Sequence, residues 1–259
     1  MYSRTELMLG KEGLKKLKQS NVMIVGLGGV GAYAAEMICR AGVGKLTIVD
    51  GDTINPSNLN RQLIALNSTM GNKKAETLSK RLLDINPKVE LRIIDEYIRD
   101  ERMIEILKLD KYDYVVDAID TLSPKIFLIL HCLNMNIPIV SSMGSGGKLD
   151  PMNIRIDDIS KSYNCPLASK VRKKIHKFGY YDGFAVVYSP EEVNPDVVVL
   201  EEGTNKRSAV GTISYMPPIF GCMIASVVIR KLIGQEVYPK VKDNRYYENK
   251  KEKQEICQK

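Results

Sequence analysis

The chain has 259 residues, 44% hydrophobic and 27% charged, and its 38 Lys and Arg against 31 Asp and Glu give a formal net charge of +7. This composition argues against a disordered or fibrous protein and supplies enough apolar side chains for one sizeable core. The charged, amphipathic start lacks an apolar segment, so the sequence predicts no signal peptide and a cytoplasmic location. The longest apolar stretch, 213–229, contains Pro217 and Pro218 and is expected to be a buried helix rather than a membrane span.

The cysteines and histidines argue against several kinds of site. Five cysteines are scattered along the chain: Cys39, Cys132, Cys165, Cys222 and Cys257. Because they form no C-x-x-C pair, neither a disulfide framework nor a structural zinc site is expected. His131 and His176 each stand without a set of metal ligands or a catalytic triad around them. The chemistry must therefore come from other residue types.

Short apolar strands alternate with amphipathic helices between residues 21 and 140. The strand-like segments read NVMIVG, KLTIVD, VELRII, YDYVVDAI and IPIVSS, and the helical ones VGAYAAEMICRAG, KAETLSKRLLDI, RMIEILKL and IFLILHCLNMN. Alternation of this kind is typical of a mostly parallel sheet with right-handed crossovers. The sequence thus predicts an α/β fold, Rossmann-like, with helices on both faces of the sheet.

The pattern is weaker after Ser142. A basic helix, CPLASKVRKKIHKFG, is expected to end at Gly179, and a strand, FAVVYS, follows it. The polar stretch 190–211 is expected to be partly mobile, and the apolar helix PPIFGCMIASVVIRKLIG to pack on the sheet with Cys222 in the packing. We predict one domain over 1–245, with a nucleotide core at 20–142 and substrate-side elements at 143–235, and a charged flexible tail at 246–259.

A glycine motif follows the first predicted strand directly. Gly26, Gly28 and Gly31 form a G-x-G-x-x-G that opens a helix, with Gly29 inside it. Glycines let the backbone turn tightly and approach a phosphate, and the helix N-terminus offers unpaired N–H groups and a partial positive charge. Asp50 ends the next strand, where a carboxylate can accept hydrogen bonds from a ribose. The alternative interpretation is a glycine-rich turn that binds no ligand.

The residues beyond Asp50 favour ATP over NAD. Polar and charged side chains follow in this order: Asp52, Asn60, Arg61 and Lys74. A dinucleotide needs few such groups, whereas a triphosphate attacked at its α-phosphorus needs cations to hold the developing charge. The segment from Asp117 to Asp120 follows the fourth strand and provides carboxylates for a Mg²⁺ ion bound to the phosphates. Each charge taken alone is as well explained as a solvated loop residue.

Four motifs agree in order and spacing with a known group of enzymes. GLGGVG, VDGDTINPSNLNRQ, GNKKAE and VVDAIDT resemble the ATP-binding core of the ubiquitin-activating-enzyme superfamily, which includes bacterial adenylyltransferases of thiamine and molybdopterin biosynthesis. The resemblance implies that Asp50 binds ribose, that Arg61 and Lys74 contact the phosphates, and that Asp120 engages Mg²⁺. It also implies that Arg4 reaches an ATP site, in some members that of the partner subunit, and hence a homodimer.

The second half of the chain distinguishes branches of the superfamily. SSMGSGGKLDPMNIRIDDISKSYNCPLASKVRKKI is similar to the bacterial tRNA threonylcarbamoyladenosine dehydratase family. That resemblance implies a tRNA substrate carrying threonylcarbamoyladenosine beside the anticodon, whose threonine carboxylate is adenylated and then closed into a ring with loss of water. The alternatives are an adenylyltransferase for a sulfur-carrier or ubiquitin-like protein, whose usual two C-x-x-C pairs are missing here, and a non-catalytic nucleotide-binding scaffold. The sequence identifies no sulfur-transfer or redox partner.

A basic run in the predicted helix supplies the candidate RNA contacts. It comprises Lys170, Arg172, Lys173, Lys174 and Lys177, with His176 among them. Such cations neutralise RNA phosphates, although a basic run by itself is more often a solvated helix face. Cys165 opens the same helix and could be a nucleophile. We favour a packing role for it, because intramolecular ring closure needs no covalent enzyme intermediate.

Overall fold

A computed structural model of the protein describes residues 1–200 and 208–238. The strands are β1 (Asn21–Val25), β2 (Lys45–Val49), β3 (Glu90–Ile94), β4 (Tyr114–Asp117), β5 (Ile139–Ser142), β6 (Arg155–Asp158), β7 (Ala185–Tyr188), β8 (Val198–Leu200) and β9 (Ser208–Val210). The helices are α1 (Ser3–Gln19), α2 (Gly31–Ala41), α3 (Lys74–Ile85), α4 (Asp100–Lys108), α5 (Leu122–Asn134), α6 (Pro166–Ile175) and α7 (Met216–Leu232). The first seven strands form one sheet in the order β3-β2-β1-β4-β5-β7-β6, and β8 pairs with β9 separately.

The sheet is parallel except at one edge, where β6 runs antiparallel to β7. Helices cover both faces: α1, α2, α3 and α7 pack in one apolar cluster, and α4, α5 and α6 in the other. Strands β1 and β4 are buried along their whole length, which explains why their sequences are continuous apolar runs. The predicted α/β fold with helices on both faces is confirmed.

The strand order reverses between β1 and β4, both of which leave the sheet at the same edge. Val25, the last residue of β1, pairs with Val49 at the end of β2 and with Asp117 at the end of β4. Open α/β sheets bind ligands in the crevice outside such a reversal, at the carboxyl ends of the strands. The fold therefore directs attention to the loops after β1, β2 and β4.

Several elements differ from the sequence prediction. The charged start of the chain forms α1, which changes direction at Gly10 (φ +72°), and the strand β6 was not predicted because its RIDD sequence carries three charges and lies at the sheet edge. The polar stretch 190–211, for which no element was predicted, contains β8, β9 and a 3₁₀ turn at Pro195–Val197; its residues 201–207 lie outside the described residues, and its partial mobility stays a prediction. The expected boundary at 245 and the tail 246–259 lie outside the described residues.

The apolar helix α7 packs on the sheet as expected. Met216, Phe220, Ile224 and Val228 repeat along its buried side, the spacing of an apolar helix face. The expectation for Cys222 was wrong: its side chain is exposed, because position 222 falls on the opposite side of the helix from that face. In the described part of the chain, no helix has the length and apolar content needed to cross a bilayer.

Candidate nucleotide site

The connection between β1 and α2 contains two glycines that have no room for a side chain. Gly26 has φ +89°, and a Cβ there would lie 2.7 Å from the carbonyl oxygen of Ala118. A Cβ at Gly31 would lie 1.7 Å from the Gly26 carbonyl oxygen. At Gly28, by contrast, the nearest atom to a Cβ would be Nε2 of Gln62 at 3.7 Å, an ordinary contact distance. Packing thus explains two of the glycines, and Gly28 leaves room for a ligand to approach the backbone.

This loop leads into the N-terminus of α2. Val30 occupies the N-cap position, and its side chain makes no capping hydrogen bond. The N–H groups of a first helical turn and the helix dipole favour an anion at such an end. The contact between Gly26 and Ala118 also holds the loop against the segment that follows β4. Phosphate binding is the chemistry that suits this position.

Asp50 is held rigidly at the end of β2, beside the glycine loop. Its carboxylate accepts hydrogen bonds from the backbone N–H groups of Leu27, at 2.6 Å, and Asp52, at 2.8 Å. Burial raises the pKa of Asp50 above its ordinary value, while Lys74 and the two N–H groups act in the opposite direction. The structure therefore places Asp50 beside the glycine loop, and its contact with a ribose stays a prediction.

Asp52 gathers two further side chains at the same edge. Its carboxylate forms a 2.7 Å ion pair with Nζ of Lys74, the buried first residue of α3. The hydroxyl of Tyr97, in the loop after β3, also donates to Asp52, and this bond raises the pKa of Tyr97 to about 12. Sequence reasoning missed Tyr97, since only the pairing of β2 with β3 brings that loop to Asp52.

The segment after Asp52 packs against the glycine loop. Arg61 donates to the Ser57 carbonyl and to Oδ1 of Asn60, both at 2.8 Å, and its Cγ would lie 3.5 Å from a Cβ at Gly29. Nδ2 of Asn60 in turn donates to the carbonyl of Thr212, at 2.9 Å. The structure therefore brings both predicted residues to the nucleotide edge.

Gln62 is a second residue that sequence reasoning missed. The Oε1 atom of its side-chain amide is buried and has no hydrogen-bond partner among the described residues. The Nε2 atom of the same amide lies near Gly28. A buried amide oxygen without a partner is costly unless a ligand or water satisfies it. The only sequence signal was its place directly after Arg61.

The carboxylates after β4 have different roles. Asp117 accepts a 2.6 Å bond from Nζ of Lys125, which is fully buried and also donates to the Ser142 carbonyl at 2.9 Å. Asp117 is thus engaged inside the protein and is not available as the magnesium ligand that the sequence suggested. Asp120, by contrast, is exposed just beyond Ala118 and one residue before the N-cap of α5. Within residues 1–200 and 208–238, no group of three His, Cys, Asp or Glu side chains could by itself hold a metal ion.

Arg4 is not brought to the site of its own chain. It is exposed near the start of α1, and the neighbouring ring of Tyr2 packs on Gly42, just past the end of α2. Since α2 has 11 residues and begins in the glycine loop, its length of about 16 Å separates that end from the nucleotide edge. Leu7 and Met8, on the same helix as Arg4, are also exposed.

The predicted RNA-binding cations lie on α6 and the turn after it. Four of them are exposed: Lys170, Lys173, Lys174 and Lys177. Arg172 differs, because it is half-buried and its guanidinium donates to the Ser162 carbonyl at 2.7 Å. That bond ties α6 to the segment after β6, so Arg172 has a structural contact that the run in the sequence did not reveal.

Cys165 is buried at the N-cap of α6 and makes no capping bond with its side chain. The G-S-G-G-K loop that follows β5 runs near the start of this helix, since a Cβ at Gly144 would lie 4.0 Å from Cβ of Leu167, and the loop ends at Lys148. Lys148 is 2% exposed, and its Nζ has no hydrogen-bond partner in the described part of the protein. Burial lowers the pKa of the Lys148 ammonium, against the opposing effects of Cys165, Glu191 and Glu192.

The chain is similar to a known protein family, to a characterised relative and to two solved structures. The model of the ThiF family matches residues 2–259. The tRNA threonylcarbamoyladenosine dehydratase of Bacillus subtilis is 40% identical over 93% of this chain and 95% of that protein. The E. coli tRNA N6-threonylcarbamoyladenosine dehydratase in complex with ATP has a TM-score of 0.81 at 31% identity, covering 90% of this chain and 93% of that one. Its complex with AMP gives a TM-score of 0.80 at 31% identity, covering 89% and 92%.

Proposed function

Because the chain belongs to the ThiF family and, within it, to the tRNA threonylcarbamoyladenosine dehydratases, we propose that it dehydrates threonylcarbamoyladenosine in tRNA at the expense of ATP. The observation that carries this proposal is the length of the match to the Bacillus subtilis relative. It runs through the nucleotide half and also through the G-S-G-G-K loop and α6. The same similarity extends to structures that bind ATP and AMP, the two nucleotides that an adenylating enzyme uses and releases.

The reaction has two steps in this proposal. An oxygen of the threonine carboxylate attacks the α-phosphorus of ATP, and pyrophosphate leaves. A nucleophilic atom of the same modified nucleoside then attacks the activated carboxyl carbon, and AMP leaves with the oxygen that is formally lost as water. The enzyme has to hold the triphosphate, stabilise the charge that develops on it, and keep the carboxylate in line with the α-phosphorus.

The described side chains divide these tasks. The N-terminus of α2 and the glycine loop hold phosphate, and Asp50 holds ribose. Arg61 and Lys74 stabilise the negative charge on the phosphates as pyrophosphate leaves, the role that cations have in phosphoryl chemistry. In the structure Lys74 is paired with Asp52; Asp52 is partly exposed, so Lys74 can share its charge with a phosphate.

We propose that Asp120 is a ligand of a Mg²⁺ ion bound with ATP. A magnesium ion bound to ATP usually takes one or two carboxylates besides the phosphate oxygens. Asp120 is exposed at the nucleotide edge, whereas Asp117 is engaged by Lys125. Asp120 would help to hold the ion, which would neutralise charge on the phosphates.

We also propose a homodimer, in which Arg4 contributes to the partner's site. The ring of Tyr2, two residues before Arg4, packs at the far end of α2, a helix about 16 Å long that begins in the glycine loop. This placement favours a contact of Arg4 with a nucleotide that another protomer presents. The exposed Leu7 and Met8 give α1 the apolar surface that a protomer contact would cover. We also propose a cytoplasmic location, which suits a tRNA substrate.

One assay tests the function directly. The protein is incubated with ATP, Mg²⁺ and tRNA that carries threonylcarbamoyladenosine, and nucleosides, AMP and pyrophosphate are measured together. We expect a nucleoside lighter by one water, with AMP and pyrophosphate formed in step. Greater ATP cleavage with unmodified tRNA or with a carrier protein ending in Gly-Gly would instead favour the adenylyltransferase. ATP binding without pyrophosphate release would favour the scaffold.

A further inference from the structure

A group of aromatic rings is exposed just beyond α6. The helix is followed by a 3₁₀ turn at His176–Phe178 and by Gly179 in the left-handed conformation (φ +83°). Phe178 is 62% exposed and Tyr181 54% exposed, and the ring of His176 lies 4.8 Å from that of Tyr181. Large rings that packing within the chain leaves exposed indicate a binding surface.

The chain segment that leads to these rings is rich in positive charge, and Asp182 follows it directly. Residues 166–181 contain five Lys and Arg and no Asp or Glu, against a net charge of +7 for the whole chain. Arg172 bonds to Ser162, but Lys173, Lys174 and Lys177 are exposed. We call these three lysines together with His176, Phe178 and Tyr181 the α6 surface. Its charge fits a polyanion.

A shallow groove adjoins the α6 surface on the side of α5. It has a volume of about 240 Å³ and is lined by Phe127, Leu130, His131, Asn134, Phe178 and Tyr180. The rings of Phe127 and His131 stack within it, 6.1 Å apart and inclined by 21°. Flat rings beside an apolar groove suit a flat heteroaromatic group better than an extended acidic peptide.

The α6 surface lies away from the reacting atoms. The start of α6 is near the G-S-G-G-K loop, since a Cβ at Gly144 would lie 4.0 Å from Cβ of Leu167. That loop leaves β5 at the nucleotide edge of the sheet. The 10 residues of α6 then extend about 15 Å away from this edge. A ligand on the α6 surface is therefore a different part of the substrate from the nucleoside that is adenylated.

We propose that the α6 surface binds unpaired nucleotides of the tRNA, with bases stacked on Phe178 and Tyr181 and phosphates neutralised by Lys173, Lys174 and Lys177. The proposal rests on the tRNA function proposed above and adds a second point of contact to it. Aromatic platforms set beside cations are the general means of binding single-stranded nucleic acid, because every base has a face to stack and every nucleotide a phosphate.

Two variants separate the two contributions. In the first, Phe178→Leu and Tyr181→Leu remove both rings but keep apolar side chains; in the second, Lys173, Lys174 and Lys177 are changed to Gln. Affinity for the modified tRNA is measured over a range of salt concentrations. We expect the ring variant to bind about tenfold more weakly per ring at every salt concentration, with an unchanged salt slope. The lysine variant should lower that slope by about 2, since each phosphate contact on a single strand contributes about 0.7.

Controls keep the result interpretable. Leu109→Ala removes an exposed apolar side chain at the end of α4 and should leave the affinity for tRNA unchanged. Phe178→Tyr keeps a ring at position 178 and should bind tRNA nearly as well as the wild type. If the wild type dehydrates the modified tRNA and the ring variant has the same affinity and KM, the α6 proposal is wrong while the function stands. If the wild type does not react with this tRNA, the function itself fails. Displacement of tRNA by polyglutamate as readily as by single-stranded RNA would also overturn the proposal, in favour of an acidic protein partner.

Discussion

Two buried lysines lie near the end of β5, and their ammonium groups have opposite surroundings. Lys125 is 0% exposed and donates to Asp117, Ser141 and the Ser142 carbonyl, so each of its three protons has an acceptor. Lys148 is 2% exposed and has no acceptor in the described part of the chain. Burial of a charge is costly unless it has partners. The cost is therefore compensated at Lys125 and uncompensated at Lys148.

The difference follows from the two regions in which they lie. Lys125 ties β4 to β5 under the nucleotide edge, and Oδ1 of Asp117 also accepts the N–H of Ile119 at 3.1 Å. This network fixes the segment that leads to Asp120. Lys148 lies in the G-S-G-G-K loop on the substrate side, next to a helix end that Cys165 leaves without a side-chain cap. The nucleotide edge is thus preorganised, and the substrate side holds an unsatisfied charge.

Lys125→Met should have the largest effect on stability. Removal of the ammonium leaves Asp117 buried without its partner, which costs about 3–5 kcal/mol in the free energy of unfolding. Urea denaturation measures this loss. The double variant with Asp117→Asn should recover part of the loss, because no uncompensated charge remains. Equal stability of Lys125→Met and wild type would show that the network does not hold β4 and β5 together.

Lys74 is a third buried lysine, and its partner Asp52 lies at the nucleotide site. Lys74→Ala should slow adenylation by at least about 100-fold, the scale for loss of one electrostatic stabiliser, while the fold survives. Pyrophosphate exchange measures the rate. The neighbouring Lys73, partly exposed and paired with Asp95 at 3.2 Å, provides the matched control, and Lys73→Ala should change the rate little.

Asp120→Ala should slow adenylation about as much as Lys74→Ala. Turnover at the wild-type rate in either variant would remove that residue from the mechanism.

The positions of the glycine loop and of its neighbouring residues in the fold could be predicted because the information for them is local. The glycine loop, Asp50 and Arg61 lie in short motifs after strands whose apolar runs are continuous, so pattern and position agree. Lys125, Tyr97 and Gln62 were missed, since each meets its neighbours only through strand pairing or loop packing. The misassignment of Asp117 has the same origin: its partner is eight residues away on α5, and nothing in the V-V-D-A-I-D motif distinguishes the engaged carboxylate from the exposed one.

Cys165→Asp should stabilise the protein by about 1 kcal/mol. Asp is among the best N-cap residues, whereas Cys165 makes no cap. Because Cys165 already acts electrostatically on the buried ammonium of Lys148, a negative charge at position 165 should also attract that ammonium. Urea denaturation of Cys165→Asp and Cys165→Ser separates the two effects, because Ser can cap the helix but carries no negative charge to form an ion pair with Lys148. The gain of Asp over Ser should vanish in a Lys148→Met background. If it persists there, Lys148 is not the partner.

The same variants address the proposed chemistry. Cys165→Ser should keep most of the dehydratase activity, since the adenylated carboxylate is already reactive and the attacking atom belongs to the substrate. Steady-state turnover with modified tRNA measures this. A covalent adduct at Cys165 trapped during turnover would contradict the direct ring closure and make the thiol a nucleophile.

The smallest expected effect is a pH dependence that Lys148 alone produces. Burial lowers the pKa of its ammonium below the ordinary 10.5, with Cys165, Glu191 and Glu192 opposing. Between the lowered pKa and 10.5, the unfolded chain holds a proton that the folded chain has lost, so the free energy of unfolding rises with pH in that window. Below the window the burial penalty is present in full.

Lys148→Met should therefore exceed the wild type in stability at neutral pH and lose this advantage as the pH approaches 10.5. Urea midpoints of both proteins from pH 7 to about 10 measure the difference, with the exposed Lys173→Met as the control that should show none. An advantage that stays constant with pH would mean that Lys148 keeps its proton in the folded protein throughout, and that its burial is compensated.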